Sequence, residues 1–334
     1  MVWSQAHAKL HILLRERNLL PISSHVLMAV SGGQDSLCLA RLLIDLQVKW
    51  QWSLRLVHCD HSWRDDSADN ASHVLALAEQ WQVPASLSVA SSPLVSEAAA
   101  REWRYGVFAQ VAREQGDRYV VTGHTASDRA ETVLYNLIRG SGIDGLSSLP
   151  WHRPIDTREP PVELVRPLLS FTRQETKDFC EQQQLPVWED GSNADLRFRR
   201  NRIRQELLPY LQQHFNPKVE RALAQTADLT AADIHYLQGQ AEQLYSQVIT
   251  ESSSATDRPV WEVDCGKLAS APLALQRRVI RQLLQKGLPQ PPNFQQIENI
   301  VALLNAPNGS RTQTYPGGLS AQVRKPNIWI GHFS

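Results

Sequence analysis

The chain has 334 residues, enough for about two domains, and its 42 % apolar and 20 % charged residues are ordinary for a globular protein. Its 34 lysines and arginines balance 34 aspartates and glutamates, which excludes a global basic field, so a nucleic-acid partner would have to be met by local patches. The four cysteines, Cys38, Cys59, Cys180 and Cys265, form no CxxC pair and read as reduced thiols of a cytoplasmic protein, and no apolar run approaches the ~20 residues that cross a bilayer.

The opening "MVWSQAHAKLHILLRERNLL" has apolar positions at helical spacing, interrupted by Lys9, Arg15 and Glu16, and is not a signal peptide. Residues 25–122 then alternate short apolar runs with amphipathic segments. The runs are "HVLMAV" (25–30), "LRLVH" (54–58), "SLSVA" (86–90) and "YVVTG" (119–123), and helices are expected near 36–48, 67–82 and 96–115. Strand–helix alternation predicts a Rossmann-like α/β fold, a parallel sheet with helices on its faces. Ligands bind such sheets beyond the carboxyl ends of the strands, so the polar stretches Ser31–Ser36, Cys59–Arg64 and His124–Thr132 should meet at one site.

The first stretch, "AVSGGQDSLCLARLL" (29–43), joins a strand, a glycine turn and a helix start. That combination makes an anion cradle, because free N–H groups and the helix dipole point at the ligand. Ser31, Gly32, Gly33 and Ser36 fit phosphate oxygens. Asp35 would repel phosphate and makes sense if it holds Mg²⁺ between itself and the phosphates; a strand–helix turn with a Ser/Asp cap is the plain alternative. The spacing is neither GxxxxGKS nor GxGxxG, which disfavours a P-loop NTPase or a dinucleotide fold.

Next, "VHCDHSWR" (57–64) crowds His58, Cys59, Asp60 and His61 too closely for a tetrahedral zinc site, since neighbours on a strand end point to alternate faces. It reads as a polar loop at a pocket edge. In the helix at 96–114, Arg101 and Arg104 share a face, and Arg101 could reach phosphate, although a solvated surface helix is equally compatible. In "VVTGHTASDRAETVLYNLIRGSGIDGL" (120–146), Asp128 and Glu131 share the first turn of a helix with His124 just before it. Two carboxylates and a histidine suit metal binding and proton removal, or else acids complementing a helix dipole. "RGSGIDG" (139–145) reads as a flexible loop over the site.

Residues 150–162, with four prolines, read as a loop, and "TRQE" (172–175) is a capping box opening a helix to about 183. "LRFRRNRIR" (196–204) carries five arginines in nine residues, suited to clamping phosphates or stacking on bases. Residues 217–250 read as one or two long helices, and "TESSSATDRP" (250–259) as a polar linker. A small α+β unit is expected after it, with a strand near 260–264, helices near 273–286 and 294–304, and strands around "YPGG" (315–318). The expected division is 1–215, a helical linker 216–254, and 255–334.

SGGQDS resembles the PP-loop of the N-type ATP pyrophosphatases. The ordered set is more specific: SGGxDS, H-x-D-H-x-x-R at 58–64, E-x-x-A-R-x-x-R-Y at 97–105, G-H-x-x-x-D-x-x-E-T at 123–132, R-G-[ST]-G-x-x-G-L at 139–146, then "VRPLL" (165–169), "WEDGSN" (188–193) and "RRNRIRQELLPYL" (199–211). Together these resemble the tRNA(Ile)-lysidine synthetases from about residue 25 to 225, with a C-terminal unit like the small tRNA-contacting domain of short members. Two departures stand out: Ser127 where many members have an acid, and Cys59 where an aliphatic residue is common.

The resemblance implies a PP-loop domain that adenylates the 2-carbonyl of the wobble cytidine in a CAU anticodon with ATP. Free L-lysine then displaces AMP to give lysidine, so that the tRNA reads AUA. It implies Asp35, Arg101, Asp128, Glu131 and Arg202 as catalytic residues; Asp128, Glu131 and His124 are the candidates for taking the proton of lysine, and the expected division puts Asp35 and Asp128 on Mg²⁺ and Glu131 on lysine. It implies Ser31, Gly32, Gly33, Gln34, Asp35, Ser36, His58, His61, Gly123 and His124 around ATP. Arg199, Arg200 and Arg204 are expected on tRNA(Ile), and Arg277 and Arg278 either add a second tRNA surface or are scattered surface charge. Rival expectations are a PP-loop tRNA thiolase, disfavoured by the isolated cysteines, and an inactive tRNA-binding module. The sequence is compatible with oligomer formation.

Overall fold

The computed structural model describes residues 3–63, 66–92, 95–189, 195–253 and 259–332. The chain forms two compact units, Met1–Ala231 and Ala232–Ser334.

The first unit runs α1 (Gln5–Glu16), β1 (His25–Ala29), α2 (Gln34–Trp50), β2 (Ser53–Asp60), α3 (Ser67–Gln80), β3 (Ala85–Val89), α4 (Glu97–Gln115), β4 (Tyr119–Thr122), α5 (Ala126–Ile138), α6 (Gly142–Leu146), β5 (His152–Asp156), β6 (Val162–Val165), α7 (Arg173–Gln182), α8 (Arg199–Arg202), a π-helical turn (Ile203–Leu207) and α9 (Leu208–His214). The strands make one sheet in the order β3-β2-β1-β4-β6-β5, parallel except for the β5 edge.

Alternating side chains divide between its faces. Val26, Met28, Leu54, Leu56 and Val121 join Leu10, Leu39, Val74 and Phe179 of α1, α2, α3 and α7 on one side. Leu27, Val57, Val120 and Leu164 pack against Phe108 and Ala112 of α4 on the other. Each such aliphatic side chain contributes about 1.5–3 kcal/mol when taken fully out of water.

The chain leaves β1 in one direction through β2 and β3, then returns to lay β4 on β1's other side. This reversal opens a crevice at the carboxyl ends of β1 and β4. The loops after β2, β1 and β4 stand side by side, roughly 5 Å apart per strand.

The parallel α/β core agrees with the sequence reading; the stretch around 150–162 does not. It is the β5–β6 hairpin arm rather than a loop, and Pro154 is tolerated because β5 is an edge strand. Likewise "RGSGIDG" contains the short helix α6, not an open loop.

α10 (Val219–Val248) is one helix that crosses the boundary between the units. The second unit continues with β7 (Ile249–Ser253), β8 (Pro259–Asp264), α11 (Cys265–Ser270), α12 (Leu273–Gly287), α13 (Phe294–Leu303), β9 (Ser320–Arg324) and β10 (Asn327–Gly331). Its antiparallel sheet, β7-β8-β10-β9, buries Trp261, Val263, Ile328 and Ile330 against Ile280, Leu284 and Ile300. The reading of 250–259 as a linker is corrected in its first part: 249–253 pairs with β8.

Candidate active site

The turn after β1 is shaped by glycine. Gly32 takes φ +85°, and a Cβ there would stand 2.4 Å from Asn70 Oδ1. Asn70 Nδ2 donates to the Ser31 carbonyl at 3.1 Å, the Trp188 amide donates to the Gly32 carbonyl at 3.0 Å, and Ser36 Oγ donates to the Gly33 carbonyl at 2.8 Å. The Ser31 amide donates to Ser36 Oγ (3.1 Å), and the Gly33 amide makes a long contact to Ser31 Oγ (3.4 Å). Among the described residues the amides of Gly32, Gln34, Asp35 and Ser36 have no acceptor. The loop is therefore braced by two of its amides while four remain for an anion at the start of the 17-residue helix α2.

Gly123 brings the second loop onto the first. A Cβ at this position would meet the Asp35 carbonyl carbon and oxygen at 2.8 Å and the Ser36 amide nitrogen at 2.9 Å. Only glycine permits that approach. Thr125 caps α5 in a capping box with Asp128, whose Oδ2 accepts from the Thr125 amide and hydroxyl, both at 2.7 Å. This leaves Asp128 Oδ1 turned toward cations.

Those cations come from two places that the sequence reading did not assign to the cluster. Arg173, first residue of α7, reaches Asp35 at 3.3 Å, Asp128 at 3.6 Å and Glu131 at 3.7 Å. Arg204 Nε and Nη2 donate to the two Glu131 oxygens at 2.5 and 2.9 Å, and Arg204 lies 3.7 Å from Asp128. The π-helical turn at Ile203–Leu207 accounts for the aim of Arg204. Ile203 is buried beside Ala130 and Leu134 of α5, which sets the following arginine against Glu131. Arg202, expected in the catalytic group, instead pairs with Glu206 at 3.1 Å on the exposed side. Arg200 pairs with Glu97 at 3.5 Å.

The carboxylates are electrostatically distinct. Burial and the neighbouring Asp128 push Asp35 up, against the pull of Arg173 and the Thr176 hydroxyl, which donates to Asp35 Oδ1 at 2.5 Å. Burial also opposes ionisation of Asp128, but Arg173, His124 and the Thr125 donors outweigh it and hold its carboxyl below the usual range. Burial pushes Glu131 up despite Arg204. The half-buried His124, next to Thr122 Oγ1 at 2.8 Å, is pushed down to about 3 by burial and by Arg166, Arg101 and Arg104.

Among the described residues no three His, Cys, Asp or Glu side chains converge as a metal site. Asp35 and Asp128 are close enough to perturb one another, and Mg²⁺ commonly takes one or two carboxylates with phosphates and water completing its shell. The pair fits an ion that arrives with a nucleotide.

The other expected residues fall as follows. His58 is buried and donates from Nδ1 to the Val30 carbonyl at 2.8 Å, propping the loop from beneath. His61 packs between the rings of Trp63 and Trp103. The Gln34 side chain is committed to α7, donating to the Arg173 carbonyl and Thr176. Arg101 lies over the Tyr105 ring, 5.2 Å from its centroid. Arg277 forms a two-bond pair with Glu298 in the second unit, where Arg278 also lies. Of "WEDGSN", residues 190–193 lie outside the described residues.

Burial pushes the Cys59 thiol up to about 12 and that of Cys265 upward, and Cys38 is driven far higher by its neighbour Cys180 and by burial.

A family model for the PP-loop domain matches residues 4–211, and one for the TilS substrate binding domain matches residues 264–324. The chain is 52 % identical to a tRNA(Ile)-lysidine synthase of Nostoc sp., over 99 % of this chain and 97 % of that protein. It is 49 % identical to one of Synechocystis sp., over 95 % and 94 %. Among solved structures it resembles the U34-tRNA thiolase NcsA from Methanococcus maripaludis, with a TM-score of 0.57 at 18 % identity, over 68 % of this chain and 78 % of that one; this likeness is one of fold.

Proposed function

The chain belongs to the tRNA(Ile)-lysidine synthase family, and from that premise we infer how its crevice works as an ATP-using ligase that forms lysidine on tRNA(Ile). The observation that carries the residue assignment is the shared guanidinium of Arg173. It gathers Asp35, Asp128 and Glu131 beside a glycine turn with four unused amides.

The open amides bind the β- and γ-phosphates of ATP. The wobble cytidine leaves the anticodon stack, and its O2 attacks the α-phosphorus. The bond to the bridging oxygen breaks, and pyrophosphate departs with the electron pair. Amides and arginines fixed before the reaction stabilise the charge that collects there. Mg²⁺, when bound, shields phosphate charge, and Asp35 and Asp128 are the residues that would hold it.

Adenylation turns the poor urea-like carbonyl into a leaving group. The ε-amine of free L-lysine then attacks C2, the C2–O2 bond breaks, and AMP leaves carrying the oxygen. Lysine is an ammonium ion at neutral pH, with a pKa of about 10.4, so a proton must be removed. Glu131, whose carboxyl is pushed up by burial, accepts it better than an ordinary carboxylate would. Arg204 holds Glu131 in place through two hydrogen bonds. Arg199, Arg200 and the second unit, including Arg278, supply tRNA contacts.

The test is incubation with ATP, Mg²⁺, labelled lysine and a CAU-anticodon tRNA(Ile), followed by nucleoside mass spectrometry. Lysidine at the wobble position, absent in Asp128→Asn, is the expected result. Activity on tRNA that requires a sulfur donor instead would support the thiolase reading.

A further inference from the structure

The backbone of Arg173 is held by side chains at both of its polar groups. Its carbonyl accepts from Gln34 Nε2 at 2.7 Å, and its amide, one of the donors that the start of α7 leaves without a helical partner, donates to Ser127 Oγ at 3.0 Å. Ser127, 3 % exposed in the first turn of α5, donates in turn to Glu220 Oε2 at 2.7 Å, and Gln212 Nε2 donates to Glu220 Oε1 at 3.1 Å. Beside Ser127, the Ala126 amide donates to the Phe171 carbonyl at 2.7 Å, so two hydrogen bonds join the starts of α5 and α7. The first turn of α10 grips the same place twice. Next to Glu220, Arg221 Nη2 donates to Glu175 Oε1 at 3.2 Å, and Glu175 completes the Thr172 capping box that opens α7.

The direction of this chain is decided by chemistry. A backbone amide can only donate, and an ionised carboxylate can only accept. Ser127 Oγ lies between one of each, so its single proton goes to Glu220 and a lone pair is left for Arg173. The bond to the carboxylate is charge-assisted and polarises the hydroxyl into a better acceptor for the amide. An acid at 127 could also accept from that amide, but it would meet Glu220 as a like charge, so the serine is matched to the glutamate. The guanidinium of Arg173 reaches Asp35, Asp128 and Glu131 at 3.3, 3.6 and 3.7 Å, which leaves little room for its backbone to move. A misplacement of about 1 Å is enough to cost a large part of a catalytic rate.

We propose that Ser127 and Glu220 are positioning residues for lysidine formation: Glu220 orients the Ser127 hydroxyl, which fixes the first residue of α7 and so holds the Arg173 guanidinium across Asp35, Asp128 and Glu131. This rests on the reading above that those acids form the reacting centre. Both residues act through Arg173, and neither is required to touch substrate.

The experiment measures kcat and KM for tRNA(Ile) in lysidine formation with the full-length chain, Glu220→Met, Glu220→Gln, Arg173→Met and the Glu220→Met/Arg173→Met double variant, alongside urea denaturation. Glu220→Met, which removes the acceptor at similar volume, should lower kcat at least tenfold with KM changed less than twofold. Glu220→Gln keeps an oxygen acceptor and should stay within threefold of wild type. In the Arg173→Met background the Glu220→Met change should cost less than twofold more, because residues acting as one unit are not additive. A full tenfold further loss in that background overturns the proposal. So does wild-type kcat in Glu220→Met, or a loss confined to KM, which would make Glu220 a tRNA contact. Should urea denaturation show Glu220→Met unfolded, Ser127→Asp decides: it sets two carboxylates together and should lose kcat at least 100-fold, and adding Glu220→Gln should return at least tenfold. No return overturns the proposal. Any of these failures in an active wild type defeats the positioning pair alone, whereas wild type that forms no lysidine defeats the functional reading and the pair with it.

Discussion

The guanidinium of Arg173 lies 3.3 Å from the carboxylate of Asp35, 138 residues earlier in the chain, and the same group reaches two further acids on α5. Without it, three carboxylates would share one crevice with only Arg204 to offset them. Arg173→Met should lower kcat/KM for lysidine formation at least 100-fold, about 2.7 kcal/mol of transition-state stabilisation. Arg173→Lys should recover little, because a single ammonium cannot span three partners. Steady-state kinetics on both variants decide this; near-wild-type turnover in Arg173→Met would show that the cluster is held together by other means.

Gly123 is the second point of tension. Gly123→Ala places a methyl group 2.8 Å from the backbone of Asp35, where no flexible side chain can yield. The β4 loop must then move off α2, at a cost of about 1–3 kcal/mol. Chemical denaturation should register that loss, and ATP affinity measured calorimetrically should fall at least tenfold. Stability lost with unaltered ATP binding would place Gly123 outside the nucleotide site.

His124 provides a pH signature. It titrates at about 3 in the folded chain, against about 6.5 when unfolded. Between those values the unfolded chain carries the extra proton, so the stability attached to His124 is intact above pH 6.5 and is lost as pH falls toward 3. His124→Gln should flatten that acid side: its urea midpoint should drop less between pH 7 and pH 4.5 than the wild-type midpoint does. Parallel curves would show that burial does not keep His124 neutral.

Much of this arrangement is legible in the sequence because its parts are local. The glycine turn, the Thr125 capping box that fixes Asp128, and the one-turn spacing of Glu131 each lie within a few residues. What is not legible depends on tertiary contact. Arg173 reads as part of a helix start, since nothing in "TRQE" announces that α7 docks its first turn on Asp35. The choice between Arg202 and Arg204 turns on the π-helical turn at Ile203–Leu207, which shifts the side-chain phase away from ordinary helical periodicity. The arginines around Tyr105 escape notice for the same reason. Arg153 and Arg166 lie on the β5–β6 arm that its prolines disguise as a loop, and they meet Tyr105 only once the sheet is assembled.

ATP–pyrophosphate exchange tests the central claim, activation of the RNA base between the α2 amides and the α5 acids, most directly. With tRNA(Ile) present and lysine omitted, wild type should exchange label between pyrophosphate and ATP, and Asp128→Asn should lose that exchange at least 100-fold. Exchange that proceeds with lysine but without tRNA, or that survives intact in Asp128→Asn, would contradict it.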